Sequence, residues 1–211
     1  MAEVKSTAKN DNSVLLHSAM ELYFKYGVKS VSMDDIARLM GISKKTIYNL
    51  VKNKGDLVHT VVSTFIELEH VTIDEISRDA ENSVHQMVAL ARQVIKSLKH
   101  MKPNFSYDLQ KYHKKTWQYV EEKHFSFVER IIRDNLERGI KEGLYRSELD
   151  PYIISKLYLG IIQKTITDDF TSLPDIKMTN LYETVILYHL NGIVNEKGRM
   201  ELKKYLKNKE S

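Results

Sequence analysis

A short run of cationic and hydrogen-bonding side chains is the part of this sequence best suited to bind a ligand. It consists of Lys44, Lys45, Thr46, Tyr48, Asn49 and Lys54. If a helix begins at residue 44, the positive end of its dipole disfavours each of the two first-turn lysines by about 0.3–1 kcal/mol. A phosphate backbone would reverse the sign of that interaction. Two exposed lysines screened by salt are the plainer interpretation, so the surrounding elements must decide between the two.

The residues before this run predict a helix of only two turns. Its apolar positions have the i, i+3, i+4 and i+7 spacing of one helical face, and they are Met33, Ile36, Ala37 and Met40. Ser32 is suited to cap the first turn, and Asp35, three residues later, completes a capping-box pattern.

A tight turn and a second short helix are predicted to follow. Gly41 can adopt the left-handed conformation that ends a helix, and Ser43 can cap the next one. That second helix would direct Ile47, Leu50 and Val51 inward, leaving the polar run outside. Two capped helices separated by three residues form a helix-turn-helix. The lysines then lie where the second helix of such a motif contacts DNA, which favours the phosphate interpretation.

Residues at fixed spacing extend this pattern over residues 15–57. They are Leu15, Leu16, Ala19, Leu22, Tyr23, Gly27, Ile36, Ala37, Gly41, Ile42, Ser43, Thr46, Ile47, Tyr48, Lys54 and Leu57. Because of these residues and their spacing, the region resembles the DNA-binding region of the TetR family of transcriptional regulators. The sequence departs from the family pattern at Val51, where the family usually has Phe, and at Leu50, where a polar or aromatic residue is often found.

The resemblance implies an all-α fold, in which a three-helix head with the helix-turn-helix precedes a helical ligand-binding and dimerisation body. It also implies a homodimeric regulator, most often a repressor, that binds an operator in double-stranded DNA and is released by a small-molecule effector. We expect three side chains to face base edges and three to hold phosphates; these are Lys44, Thr46 and Asn49, and Tyr48, Lys45 and Lys54, respectively.

Composition and charge agree with this interpretation. Three prolines, eight glycines and almost no alternating apolar pattern favour an all-helical chain of 211 residues. The net charge of +4 is concentrated at the two ends, since residues 1–55 hold nine Lys or Arg against five Asp or Glu. Cysteine is absent, which excludes disulfides and thiolate metal sites. The most apolar stretch, residues 152–162, is too short to span a bilayer, so we expect no membrane association and a cytoplasmic protein.

Four segments are predicted along the chain. Residues 1–12 are expected to form a flexible arm, residues 13–57 the DNA-binding domain, and residues 58–195 the ligand-binding and dimerisation domain. Residues 196–211 are expected to form a basic tail, as a frayed final helix. Within residues 104–143 we expect a break near Lys114 to Gln118, because forty residues would be long for a single helix.

The resemblance implies a small-molecule pocket in the body, and the sequence of the body also predicts a dimer interface. Large aromatic and Met side chains with few polar atoms suit an apolar ligand, and the candidate pocket residues are Phe65, Met87, Leu90, Tyr107, Tyr112, His113, Trp117 and Tyr158. Each of them could equally fill an ordinary core. Two helices with surplus apolar surface suit a two-fold four-helix interface, for which the candidates are Ile154, Leu157, Ile161, Tyr182, Val185 and His189.

Other chemistry finds little support in the sequence. The eight histidines form no i, i+4 pair with a carboxylate partner, so we expect no metal. Neither a glycine-rich phosphate loop nor a nucleophile elbow is present, so we expect no cofactor and no enzymatic activity. The alternative from another class is a helical interaction module that kept the fold and binds a protein partner without binding an operator.

Overall fold

A computed structural model describes residues 2–102, 105–165 and 177–207, with side chains described from residue 12 onward. Ile166 and Pro174, which the sequence places at the end of one helix and before the last long one, lie outside these residues. Over the described ranges the regular elements are helices, apart from one antiparallel pairing of Tyr145 with Val194. None of these helices is long and apolar enough to cross a membrane.

The chain divides into two compact units. The first, called the head unit here, comprises the chain up to Leu68 together with His100–Val120. It contains α1 (Ala2–Tyr26), α2 (Met33–Met40), α3 (Lys44–Leu50), the start of α4 (Lys54–Asp79), α6 (Phe105–Tyr112) and α7 (Lys114–Tyr119).

The second unit, called the body unit, comprises Glu69–Lys99 and the chain from Glu121 onward. It contains the end of α4, α5 (Ser83–Leu98), α8 (Ser126–Lys141), α9 (Pro151–Thr165), α10 (Met178–Ile193) and α11 (Glu196–Lys207). A π-helical segment, Val120–Phe125, precedes α8.

The predicted helix-turn-helix is confirmed together with its caps. The Ser32 hydroxyl accepts the Asp35 backbone N–H at 3.2 Å, and the Asp35 carboxylate accepts the Ser32 N–H at 2.9 Å, so both halves of the capping box form. Gly41 ends α2 at φ 66°, a left-handed conformation that suits glycine. Ser43 then caps α3 by accepting the Thr46 N–H at 3.1 Å. Local side-chain chemistry therefore sets the start of both short helices.

The N-terminal segment differs from its predicted form. Helix α1 begins at Ala2, in the stretch where the sequence predicts a flexible arm. Residues 2–12 contain neither proline nor glycine, so nothing in their backbone interrupts the helix. The predicted end at Gly27 is confirmed, because Gly27 has φ 86° and donates to the Tyr23 carbonyl at 2.9 Å.

Helix α6 belongs to the head unit, whereas the predicted division assigns it to the body. Asp108 of α6 is buried and accepts the Lys29 backbone N–H at 2.9 Å. The Phe24 ring meets Phe105 of α6 edge-on at a centroid distance of 5.0 Å. A third link joins the segment before α6 to α1, where the Lys102 N–H donates to the Phe24 carbonyl at 2.8 Å. The predicted break between α6 and α7 falls at His113, just before the expected position.

The core of the body unit is formed by the end of α4 together with α5, α8, α9, α10 and α11. Val84, Leu136 and Leu190 are fully or almost fully excluded from solvent there. Asp150 caps α9 as predicted, since its carboxylate accepts the Tyr152 and Ile153 N–H groups at 2.8 and 3.1 Å. Pro151 then occupies the first helical position, where its missing N–H leaves no bond unmade.

The final helix expected in the basic tail is confirmed over Glu196–Lys207, but it is packed against the body core rather than frayed. Leu202 and Tyr205 of α11 are buried in the body core, and the Tyr205 hydroxyl donates to Glu81 at 2.6 Å. Residues 202 and 205 share one face at i, i+3 spacing, while the lysines of α11 occupy its exposed faces. The lysine-rich composition suggested fraying, whereas the two buried residues hold the helix against the core.

Candidate functional site

The exposed face of α3 is built on one buried anchor. Ile47 is completely excluded from solvent, which fixes the rotation of α3 against the rest of the head unit. As a consequence, the polar side chains around Ile47 on α3 are exposed. These are Lys44, Lys45, Thr46, Tyr48 and Asn49. The structure thus brings five of the six candidate DNA-binding residues onto one accessible helix.

Two members of this face have partners within the head. The Lys44 ammonium contacts the Asp34 carboxylate of α2 at 2.8 Å, and this hydrogen bond raises the pKa of the lysine. The Thr46 and Ser43 hydroxyls lie 2.9 Å apart. Of the ion pairs formed by residues that the structure describes, none includes Lys45. Lys45 therefore presents its charge without an internal competitor, whereas Lys44 must leave Asp34 to reach another anion.

Lys54, the sixth candidate, lies in the first turn of α4 and is only partly exposed. Its ammonium is 3.5 Å from the Lys29 carbonyl oxygen. Burial lowers the pKa of Lys54, and the nearby carboxylates of Asp108 and Asp35 oppose that effect. The start of α4 is held by Asn53, whose side-chain oxygen accepts the Asp56 N–H at 2.9 Å.

A capped helix-turn-helix with a cationic, hydrogen-bonding face on its second helix defines a class of protein, the helix-turn-helix transcriptional regulators. Residues 15–61 match the family model described as bacterial regulatory proteins, tetR family. The chain is 23% identical over 155 residues to the HTH-type transcriptional regulator YhgD of Bacillus subtilis strain 168. This alignment covers 71% of the chain and 81% of YhgD. Residues 15–61 are therefore similar to the DNA-binding region of tetR-family regulators, and the relative that the chain resembles over most of its length is an HTH-type transcriptional regulator.

Solved structures extend the similarity of fold beyond the head. A TetR-family transcriptional regulator from Agrobacterium tumefaciens superposes with a TM-score of 0.72 at 17% identity, covering 89% of this chain and 100% of that one. A transcriptional regulator from Saccharomonospora viridis in complex with choline gives a TM-score of 0.71 at 14% identity, with the same coverage. At these identities the likeness establishes a shared fold.

A cavity of about 120 Å³ lies within the body unit. Among the predicted pocket residues, Met87, Leu90 and Tyr158 line it. Its other walls are largely branched aliphatic side chains from α4, α5, α8, α9 and α10. His124 and Tyr182 also line it, and the pocket prediction does not include them. His124 precedes Val128 and Ile131 by four and seven residues, so the apolar stripe of α8 could have identified it.

The other five predicted pocket residues lie in the head unit. Phe65 is half-buried and packs edge-on against Phe24 of α1, with ring centroids 5.0 Å apart, a contact inside the head unit. Tyr107, Tyr112, His113 and Trp117 are on or beside α6 and α7. Large aromatic side chains suit a packed core and a ligand pocket equally well, and residue type alone does not separate the two uses.

His124 is the most unusual polar group at the cavity. Its Nδ1 lies 3.3 Å from His70 Nε2, and the two rings stack at a centroid distance of 5.5 Å. His70 also stacks on Phe127, with ring centroids 3.8 Å apart. Burial, with a smaller contribution from His70, lowers the pKa of His124 to about 4. The imidazole is therefore neutral at physiological pH and offers a polar but uncharged group to the cavity.

The predicted dimer residues divide between two different faces. Leu157 and Ile161 of α9 are 59% and 40% exposed, and Ile154 is half-buried. Tyr182, Val185 and His189 of α10 are instead buried within the body unit. The exposed apolar residues at i, i+4 spacing are Ile153, Leu157 and Ile161, and Tyr188 of α10 is exposed by 75%.

Proposed function

We propose that this regulator is a ligand-responsive repressor that acts as a homodimer and is released from its operator by a small molecule. The observation that supports operator binding most directly is the exposed polar face of α3, held in place by the buried Ile47. A helix of this kind enters the major groove, where its first residues meet base edges and phosphates.

The chemistry of each side chain determines whether we assign it to a base edge or to a phosphate. Asn49 is suited to bidentate recognition of an adenine, a contact whose loss costs about 1–3 kcal/mol of discrimination. Lys45, free of ion pairs with the described residues, is suited to a phosphate as a point charge. Thr46 and Lys44 are assigned to base edges, and Tyr48 and Lys54 to phosphates.

The experiment for operator binding begins with selection of duplexes from a random library by the wild-type protein. Lys45→Ala is expected to weaken binding to all sequences. It removes one proposed phosphate contact per chain, so the slope of log Kd against log salt is expected to fall by roughly 0.9 per chain. Asn49→Ala is expected to reduce the preference for the selected duplex with little change in that slope. Selection that enriches no sequence would contradict operator binding.

For the effector we propose the cavity of the body unit. Its volume of about 120 Å³ suits a molecule the size of a single ring, because an engineered cavity of about 150 Å³ binds benzene. Its lining contains neither a carboxylate nor a cationic side chain. Burial raises the pKa of the Tyr158 and Tyr182 hydroxyls, so both remain neutral donors. A neutral, largely apolar effector with one hydrogen-bonding group fits these properties, since a buried ion without a partner costs several kcal/mol.

A route for the response is provided by helix α4. It begins at Lys54, beside the recognition helix in sequence, and its later residue Ile73 lines the cavity. One continuous helix therefore carries residues of both proposed sites. The ligand would shift the protein toward the released state only by the difference in its affinity for the two states, typically about 1–3 kcal/mol.

The ligand proposal is tested with three probes of one ring size, namely phenol, benzoate and benzyltrimethylammonium. Phenol is expected to raise the melting temperature of the protein, while the two ions leave it unchanged. Tyr158→Phe is expected to weaken the phenol effect, and Tyr188→Phe, at an exposed position of α10, serves as the matched control. Equal stabilisation by benzoate would contradict a neutral site.

A further inference from the structure

An open groove of about 670 Å³ lies inside the head unit, apart from the face of α3. One wall is formed by the first turns of α4, including Asp56 and His59. The other wall is formed by residues 111–116, which span the junction between α6 and α7. Three of these side chains are lysines, at positions 111, 114 and 115. The groove therefore has a pronounced positive charge.

The single carboxylate in the lining does little to neutralise these lysines. Asp56 accepts the Lys52 backbone N–H at 3.1 Å, so its carboxylate already has a hydrogen-bond partner at the start of α4. Asp108, the nearest carboxylate on α6, is buried and accepts the Lys29 N–H. The groove thus gathers cationic side chains next to carboxylates that already have backbone partners.

Nor do the lysines find acidic partners elsewhere in the described parts of the chain. Lys111 donates to the Tyr107 hydroxyl at 2.6 Å and lies 5.0 Å from that ring. Lys114 and Lys115 are exposed, and neither takes part in an ion pair with a described residue. Clustered like charges repel one another, and an anion bound in the groove would remove that repulsion.

The groove adjoins the proposed DNA contacts within the same unit. Asn53 and Gly55 of its lining flank Lys54, the proposed phosphate contact at the start of α4. The Lys29 ammonium lies 5.1 Å from the ring of Tyr112, which joins the groove to the loop before α2. Positive side chains therefore continue from the start of α4 into residues 111–115.

We propose that Lys111, Lys114 and Lys115 form a second phosphate-binding surface, which holds the backbone of the DNA duplex bound by α3. The inference depends on the proposed DNA binding and extends it to a segment far from the helix-turn-helix in sequence. Flexible lysines act as point charges on phosphates and carry no base information, so this surface adds affinity and leaves sequence preference unchanged.

The test uses the full chain with the double variant Lys114→Gln, Lys115→Gln. Dissociation constants are measured over a range of KCl concentrations with a random-sequence duplex of forty base pairs and with a duplex selected by the wild type. Removing one lysine–phosphate pair is expected to lower the slope of log Kd against log salt by about 0.9, so removing two lowers it by about 1.8 per chain. Affinity for both duplexes falls together, and their ratio is unchanged.

A matched control removes the same charge from the body unit. Lys197→Gln, Lys203→Gln changes two exposed lysines of α11 and is expected to leave the slope at its wild-type value. An unchanged slope in the groove variant, or an equal decrease in both variants, overturns the proposal. So does loss of pyrophosphate binding in the groove variant with an unchanged DNA slope, which would assign the groove to a free anion. A wild type that binds neither duplex would instead overturn the proposed DNA binding itself.

Discussion

At the scale of single residues, the two proposed sites differ in charge. In the head unit, Lys45 and Lys114 are exposed and form no ion pair with a described residue. The polar groups of the body cavity are held neutral by burial, and His124 is the clearest case, with its pKa lowered to about 4. The head is thereby suited to a polyanion and the cavity to an uncharged molecule.

The neutrality of His124 predicts how stability depends on pH. An unfolded histidine has a pKa near 6.5, so between about pH 4 and 6.5 the unfolded chain binds a proton that the folded chain excludes. The free energy of unfolding must therefore fall as pH decreases through this window. From pH 7.5 to 5.5 the loss is about 1 kcal/mol for this group. His189, whose pKa burial also lowers to about 4, adds a similar loss.

Urea unfolding at pH 7.5 and 5.5 measures this effect. His124→Gln removes one titrating group, so the difference in unfolding free energy between the two pH values is expected to shrink by about 1 kcal/mol relative to wild type. His17→Gln, at an exposed position of α1, is the matched control and is expected to leave the difference unchanged. A His124→Gln protein with the full wild-type pH dependence would contradict a neutral, buried imidazole.

At the scale of elements, the sequence predicts what is decided locally. The two short helices of the helix-turn-helix were predicted through Ser32, Gly41 and Ser43, because caps and a left-handed turn depend on residues within one turn of each other. The same holds for Asp150 and Pro151 at the start of α9. The TetR-type head was accessible from sequence for this reason.

Contacts between residues far apart in the chain have no comparable local signal in the sequence. The bond from Lys29 to Asp108 joins residues 79 positions apart, and it helps to place α6 in the head rather than the body. The cavity raises the same difficulty, since Tyr158 and Trp117 have similar chemistry and only the tertiary fold puts the first at the cavity and the second in the head unit. Residue type predicts that a side chain will be buried, but not which neighbours it will have.

Helix α11 provides a test at this scale. Tyr205 stacks on His85 at 4.6 Å, donates to Glu81, and through its carbonyl accepts Arg92 at 2.6 Å. Tyr205→Ala is expected to lower the free energy of unfolding by about 3–5 kcal/mol, as for other large aromatic truncations in cores. Met200→Ala, on the exposed side of the same helix, should change it by less than about 0.5 kcal/mol. Similar small effects of both changes in urea unfolding would mean that α11 is the frayed helix that the lysine-rich composition suggests.

At the scale of the whole molecule, the body unit presents an apolar surface that its own core does not use. Ile153, Leu157 and Ile161 form a stripe on α9, and Tyr188 of α10 is the most exposed of these residues. Exposed apolar patches of this kind commonly mark interaction sites. A two-fold axis through α9 and α10 would cover the stripe with its own copy, as the proposed homodimer requires. The buried Tyr182 and Val185 would then support this interface from behind rather than form it.

This arrangement leads to a prediction about assembly and DNA binding together. Leu157→Glu and Tyr188→Glu each place a charge in the proposed interface. Both variants are therefore expected to sediment as monomers at micromolar concentration, where the wild type is expected to sediment as a dimer. Each monomer would carry one recognition helix, whereas the proposed dimer would read two half-sites about 34–36 Å apart or a multiple of that spacing. The variants are therefore expected to lose most of their affinity for the selected duplex.

Two controls separate the interface from the core and from general surface effects. Met200→Glu, at a position 66% exposed on α11, adds the same charge and is expected to leave the dimer intact. Val185→Glu places the charge inside the body core, where Val185 is 8% exposed, and is expected to unfold the unit rather than release a folded monomer. A wild type that remains monomeric at micromolar concentration, or a Leu157→Glu protein that stays dimeric, would show that the exposed face of α9 serves another partner.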